Sequence, residues 1–161
     1  MESINVAVRQ HETGLGAGEW TLPISDKENV DLKILSETVY RFFDLFNAEW
    51  FSSQLPAPLV TFKPTGRGTL GHFRPGRNEI GAKLEVNINT AHLNRPLLLI
   101  ITTVLHEMIH LAQYASPDLH GRDSYRSNYH NAKFREKAAA LGVPSSGWGV
   151  TTGVGDTFKT F

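Results

Sequence analysis

At 161 residues, with 40% apolar and 20% charged residues and a formal net charge of zero, the chain has the length and balance of one soluble domain with a real core. It contains no cysteine, which excludes a disulfide framework, a thiolate zinc site and a cysteine nucleophile. The zero hides an asymmetry: residues 1–60 carry nine acids against four bases, and residues 61–161 carry seven against twelve. This mild excess permits an acidic partner without demanding one.

Residues 1–24 lack sustained periodicity and read as a flexible N-terminal arm. The first residues have neither the basic start nor the apolar run of a signal peptide, and no apolar run reaches the ~18 residues of a membrane span. The expectation is a cytoplasmic protein without membrane contact, monomeric by default. "SDKENVDLKILSETVYRFFDLFNAEWF" then predicts an amphipathic helix. Ser25 and Glu28 form a capping box, and Leu32, Leu35, Val39, Phe42 and Phe46 define one face. Between Pro58 and Asn89, "LVTFK", "LGHFR" and "LEVNIN" read as three short strands, the first two forming an antiparallel hairpin. In the third, Leu84, Val86 and Ile88 alternate with Glu85, Asn87 and Asn89, predicting one buried face. Asn94 and Pro96 mark the start of a helix through "LLLIITTVLHEMIHLAQYA", which stops near Pro117. A loop follows to about Tyr129. A last helix, "NAKFREKAAALG", ends at Gly142 as its C-cap. The expected domain spans 25–142, with 143–161 a Gly- and Ser-rich tail.

The helix after Pro96 is apolar nearly all round, as a buried helix is. Its only formal charge is Glu107, and a buried carboxylate needs a reason. His106 and His110 lie one turn apart on one face and can reach a single ion. Glu107 lies about 100° round the helix, where it can reach a water at that ion without ligating it. This is the zincin pattern of two imidazoles on zinc and a glutamate base.

A catalytic zinc needs a third protein ligand. The extended metzincin pattern would require glycine at Gln113 and histidine at Ser116, and neither matches. Glu136 is the only acid of the last helix, but Phe134, Ala138 and Leu141 define that helix's buried face and Glu136 points elsewhere. His120 sits in a polar loop with nothing to anchor it. His130 stands four residues before Phe134, on the apolar face, so the packing of Phe134 carries it inward. Tyr125, Arg126 and Tyr129, close to this ligand in sequence, are candidates for stabilising an oxyanion.

With these pieces in order, the sequence resembles the SprT-like family, the zinc metallopeptidase domain also found in Spartan-type proteases. The matching segments are "FFDLFNAEWFSSQLPAPLVTF", "GTLGHFR", "LEVNIN", "TTVLHEMIHLAQY" and "YHNAKFREKAAALG". The family's third ligand opens a His-Gly/Asn-x-x-aromatic motif, which here is His130 to Phe134. The resemblance implies an α+β, minimal zincin-like fold. Its small three-stranded sheet packs with an N-terminal helix, an active-site helix and a C-terminal helix. It also implies His106, His110 and His130 as ligands of one Zn2+ ion, Glu107 as catalytic base, and peptide-bond hydrolysis on a protein or peptide substrate. The strand Leu84–Asn89 is then expected to line the cleft and pair with an extended substrate. Many family members continue into a cysteine-based zinc ribbon, which this chain cannot form.

"GRGTLG", Gly66 to Gly71, matches a dinucleotide fingerprint literally, but "HFRPGRN" after it cannot open a helix, so it reads as a hairpin turn. His72 and His92 read as structural or exposed. Lys63, Arg67, Arg74, Arg77, Lys83 and Arg95 make the sheet region basic, a possible DNA contact. Three functions compete: a zinc endopeptidase acting on DNA-associated or DNA-crosslinked proteins, a peptidase with one dedicated substrate unrelated to DNA, and a non-catalytic zinc-binding interaction domain.

Overall fold

The structure, a computed structural model, describes residues 31–77, 81, 84–115 and 129–146. Within them the chain is α+β: helix α1 (Leu32–Phe51), strands β1 (Leu59–Lys63), β2 (Gly71–Pro75) and β3 (Leu84–Asn89), a 3-10 turn (Thr90–His92), helix α2 (Leu97–Ala115) and helix α3 (Ala132–Ala140).

Helix α1 begins later than its expected capping box. Ser25 and Glu28 lie outside the described residues. Asp31 is the N-cap, its carboxylate accepting from the backbone N–H of Lys33 at 2.9 Å and Ile34 at 3.2 Å. The buried stripe is Leu35, Val39, Phe43 and Phe46, at spacings of three and four residues. Leu32, expected on that face, is exposed, and Phe42 is only partly buried. Burying one such side chain contributes on the order of 2–3 kcal/mol.

The sheet order is β1-β3-β2, which overturns the expected hairpin of the first two strands. β3 lies between them, parallel to β1 (Leu59↔Glu85 to Lys63↔Asn89) and antiparallel to β2 (Gly71↔Ile88 to Pro75↔Leu84). The reason is Asn89, at the C-terminal end of β3. Its Oδ1 accepts from Thr65 N at 3.2 Å and Ala91 N at 3.1 Å, and its Nδ2 donates to Gly66 O at 3.3 Å and Thr69 O at 2.6 Å. The segment 64–70 therefore arches over the end of β3, and "GRGTLG" is an arch rather than a hairpin turn.

β3 also departs from the expected alternation, since Glu85, Asn87 and Asn89 are buried along with Val86 and Ile88. The polar side chains of β3 find partners inside the protein. Asn87 Oδ1 accepts from Lys63 N at 2.9 Å and its Nδ2 donates to Lys63 O at 3.2 Å. Glu85 accepts from the Thr61 hydroxyl at 2.7 Å and pairs with Lys63 at 3.3 Å.

Helix α2 is buried at every position from Ile100 to Gln113 and packs against β2, β3, α1 and α3. It is long and apolar enough to cross a membrane by composition, but most of it lies inside the protein. Helix α3 buries Phe134 and Ala138, with Leu141 just beyond it, and leaves Glu136 exposed. Asn131 caps its start by accepting from Phe134 N at 2.8 Å. Gly142, at φ 76°, ends it in the left-handed region where glycine is favoured.

Candidate metal centre

Two helices deliver three imidazoles to one point. His106 and His110 project from one face of α2, and His130 comes from the residue before the N-cap of α3. The Nε2 of His130 lies 3.1 Å from the Nε2 of His106 and 3.1 Å from that of His110. A tetrahedral zinc with Zn–N bonds near 2.0–2.1 Å holds its nitrogen ligands about 3.3 Å apart. The donor set and its spacing therefore fit a zinc ion, and the three histidines, all buried, form a group able to hold a metal.

Phe134 is the floor of this site. Its ring stacks on His130 with centroids 3.9 Å apart and planes 5° apart, and it lies 4.4 Å from His110 and 5.0 Å from His106. The four-residue interval from His130 to Phe134 thus delivers the contact that the sequence predicts. Burial pushes the His106 imidazole down to about 3, helped by repulsion from His130. Burial also pushes His110 down to about 2, helped by His106 and His130. All three rings are neutral near pH 7, the form that binds a metal.

Outer contacts orient His130. His130 Nδ1 is 2.8 Å from the carbonyl oxygen of Ser146 and 3.0 Å from the Ser145 hydroxyl. A carbonyl only accepts, so Nδ1 carries the proton and Nε2 presents a lone pair. Gln113, one turn beyond His110, donates to Asn131 Oδ1 at 3.1 Å and ties α2 to the start of α3. The sequence reading does not foresee Ser145 or Ser146, because neither carries a metal-ligand signature and both sit in a stretch without periodicity.

Glu107 faces β2. The register places Leu70 opposite Asn89, whose N–H donates to Leu70 O at 2.9 Å. By alternation, the peptide groups of Gly71, Phe73 and Pro75 point away from β3. The Phe73 N–H accordingly donates to the Glu107 carboxylate. Burial pushes Glu107 up to about 8, partly offset by that bond. A divalent cation at the imidazoles favours the ionised carboxylate.

The geometry corrects the expected role of Leu84–Asn89. β3 is paired on both sides and has no edge to offer a substrate. β2 is the strand that runs beside Glu107. Of the candidate oxyanion contacts, Tyr129 adjoins His130 and is exposed, whereas Tyr125 and Arg126 lie outside the described residues, as does His120. Tyr114, absent from the sequence-based candidates, is exposed with its ring 5.8 Å from that of Phe73, on the same stretch of edge.

The family model described as the SprT-like family matches residues 39–153. No curated protein matches the chain.

Proposed function

Because the chain belongs to the SprT-like family, we propose that it is a zinc-dependent endopeptidase in which His106, His110 and His130 hold the metal and Glu107 is the general base. The observation that carries this reading is the convergence of three neutral imidazoles on the helix face beside a buried carboxylate. When bound, zinc supplies a Lewis acid that acidifies water and polarises the scissile carbonyl. Glu107 accepts a proton from the attacking water and returns it to the amine that leaves as the C–N bond breaks. The Phe73 N–H keeps the Glu107 carboxylate in place between these two transfers. An extended substrate adds to the outer edge of β2. Pro75 has no N–H and that of Phe73 is engaged by Glu107, so this pairing draws on the Gly71 N–H and the outward carbonyls of the strand.

The test is cleavage of an unfolded protein with zinc content measured on the same samples. Glu107→Gln is expected to keep its zinc and lose at least ~100-fold in rate, the usual contribution of a general base. Wild-type cleavage by this variant would overturn the mechanism. Adding single-stranded DNA separates two substrate classes. The basic side chains Arg67, Arg74, Arg77 and Arg95 motivate proteins on DNA as substrates, and stimulation by DNA is the result expected for them.

A further inference from the structure

The chain beyond α3 is drawn back to the metal centre. Gly142 turns the backbone in the left-handed region, Val143 N donates to Ala138 O at 2.9 Å, and the Val143 side chain is fully buried. These contacts anchor the segment at its start. Two residues on, Ser145 and Ser146 place a hydroxyl and a carbonyl on the Nδ1 of His130 at 3.0 and 2.8 Å. Arg135 donates to the His130 carbonyl, holding the backbone of this residue as well. His106 differs: its Nδ1 is buried with no hydrogen-bond partner among the described residues. His106 lies within the helix that carries it, whereas His130 sits ahead of α3, before its N-cap.

We propose that Val143–Ser146 is a positioning strap for the third metal ligand, in which Ser146 and Ser145 together keep the His130 proton on Nδ1 and aim its Nε2 at the ion. The proposal rests on the metal reading above. It adds that affinity for the metal depends on residues outside the helices that carry the ligands. Two acceptors on one N–H also restrict rotation of the ring, which stacking on Phe134 alone leaves free to flip by half a turn. A flip would exchange Nδ1 and Cδ2 and break both bonds. Ser145 and Ser146 act through His130, so they are positioning residues.

The experiment uses the full chain. Zinc affinity is measured by competition with a chromophoric chelator for wild type, His130→Ala, Ser145→Ala and Ser145→Pro, with circular dichroism to verify folding. The tautomer of His130 is read by long-range 1H–15N correlation in the metal-free protein. The expected result is an Nδ1–H tautomer in wild type, together with a loss of zinc affinity of roughly 10–100-fold for Ser145→Pro, the range typical of outer-shell changes. Ser145→Ala, which keeps the Ser146 carbonyl, is expected to lose less. An Nε2–H tautomer in wild type would overturn the proposal even if Ser145→Pro failed to fold. So would zinc affinity unchanged in both Ser145 variants while His130→Ala lost it. If wild type itself bound no zinc, the metal reading would fail instead, which is a different result.

Discussion

A methyl group on residue 71 would come 2.7 Å from the Thr103 Cγ2 and 2.9 Å from the Asn87 carbonyl oxygen, with a Glu107 carboxylate oxygen at 3.5 Å. Glycine is therefore what lets β2 lie against α2 at the level of Glu107. Gly71→Ala is expected to destabilise the fold by about 1–3 kcal/mol through overpacking, read by chemical denaturation. It is also expected to lower cleavage beyond that loss, because the strand that holds Glu107 must move. At this scale the sequence is most informative where an interval is local. The turn from His106 to His110 and the four residues from His130 to Phe134 both fix which side chains share a face, and both place their residues at the site. Gly71 could be read only as part of a turn, since its reason is a helix more than thirty positions away.

At the scale of elements, the helices were legible and the sheet was not. Amphipathic spacing is written within a helix, and α2 and α3 lie close to their expected limits. Strand order depends on partners remote in sequence. Nothing local in "LEVNIN" says that β3 will lie between β1 and β2, or that Asn87 and Asn89 will face inward as clamps. The two sheet edges also differ. At β1 the Tyr40 hydroxyl accepts from Val60 N at 3.0 Å and donates to Pro58 O at 3.2 Å, occupying the outer backbone groups. β2 is the other edge, and it runs beside Glu107. Tyr40→Phe leaves a strand N–H and a carbonyl without that partner, and about 1–2 kcal/mol of lost stability is expected in thermal or denaturant unfolding. Cleavage by the residual folded protein should not change, because β1 lies on the far side of β3 from Glu107.

For the molecule as a whole, the metal-free site opposes folding from two directions. The folded pKa values of His106 and His110 are lowered from 6.5 to about 3 and about 2. Their contribution is present above pH 6.5 and is lost as pH falls towards those values. Glu107 is raised from 4.5 to about 8, so its contribution is present below pH 4.5 and is lost as pH rises towards 8. Between 4.5 and 6.5 both losses act together. Zinc relieves both, by occupying the imidazole lone pairs and by favouring the carboxylate. The stabilisation on adding zinc is expected to grow from pH 5 to pH 7, because a cation that favours the ionised carboxylate expels the proton Glu107 holds below about 8, whereas His106 and His110 are already unprotonated in the folded chain. At a hundredfold excess over the dissociation constant it should reach about 2.7 kcal/mol, or a rise in Tm of roughly 5–10 °C for a chain of this size. Calorimetry with and without chelator across that pH range checks it, and a zinc increment independent of pH would contradict it.

His110 and His130 are separated by 20 positions in the chain and 3.1 Å in space. An ion held by both closes a ring in the polymer, as a covalent cross-link does. A ring of that length removes about 3 kcal/mol of chain entropy from the unfolded state. The entropy of such a ring depends only logarithmically on its size, and doubling it costs about 0.6 kcal/mol. The clasp therefore tolerates wide variation in what it encloses: a glycine–serine insert that doubles the distance along the chain should leave zinc binding within a few-fold of the original. Length added between the end of α2 and Tyr129 is thus expected to cost the metal little, whether it arises by mutation or by design.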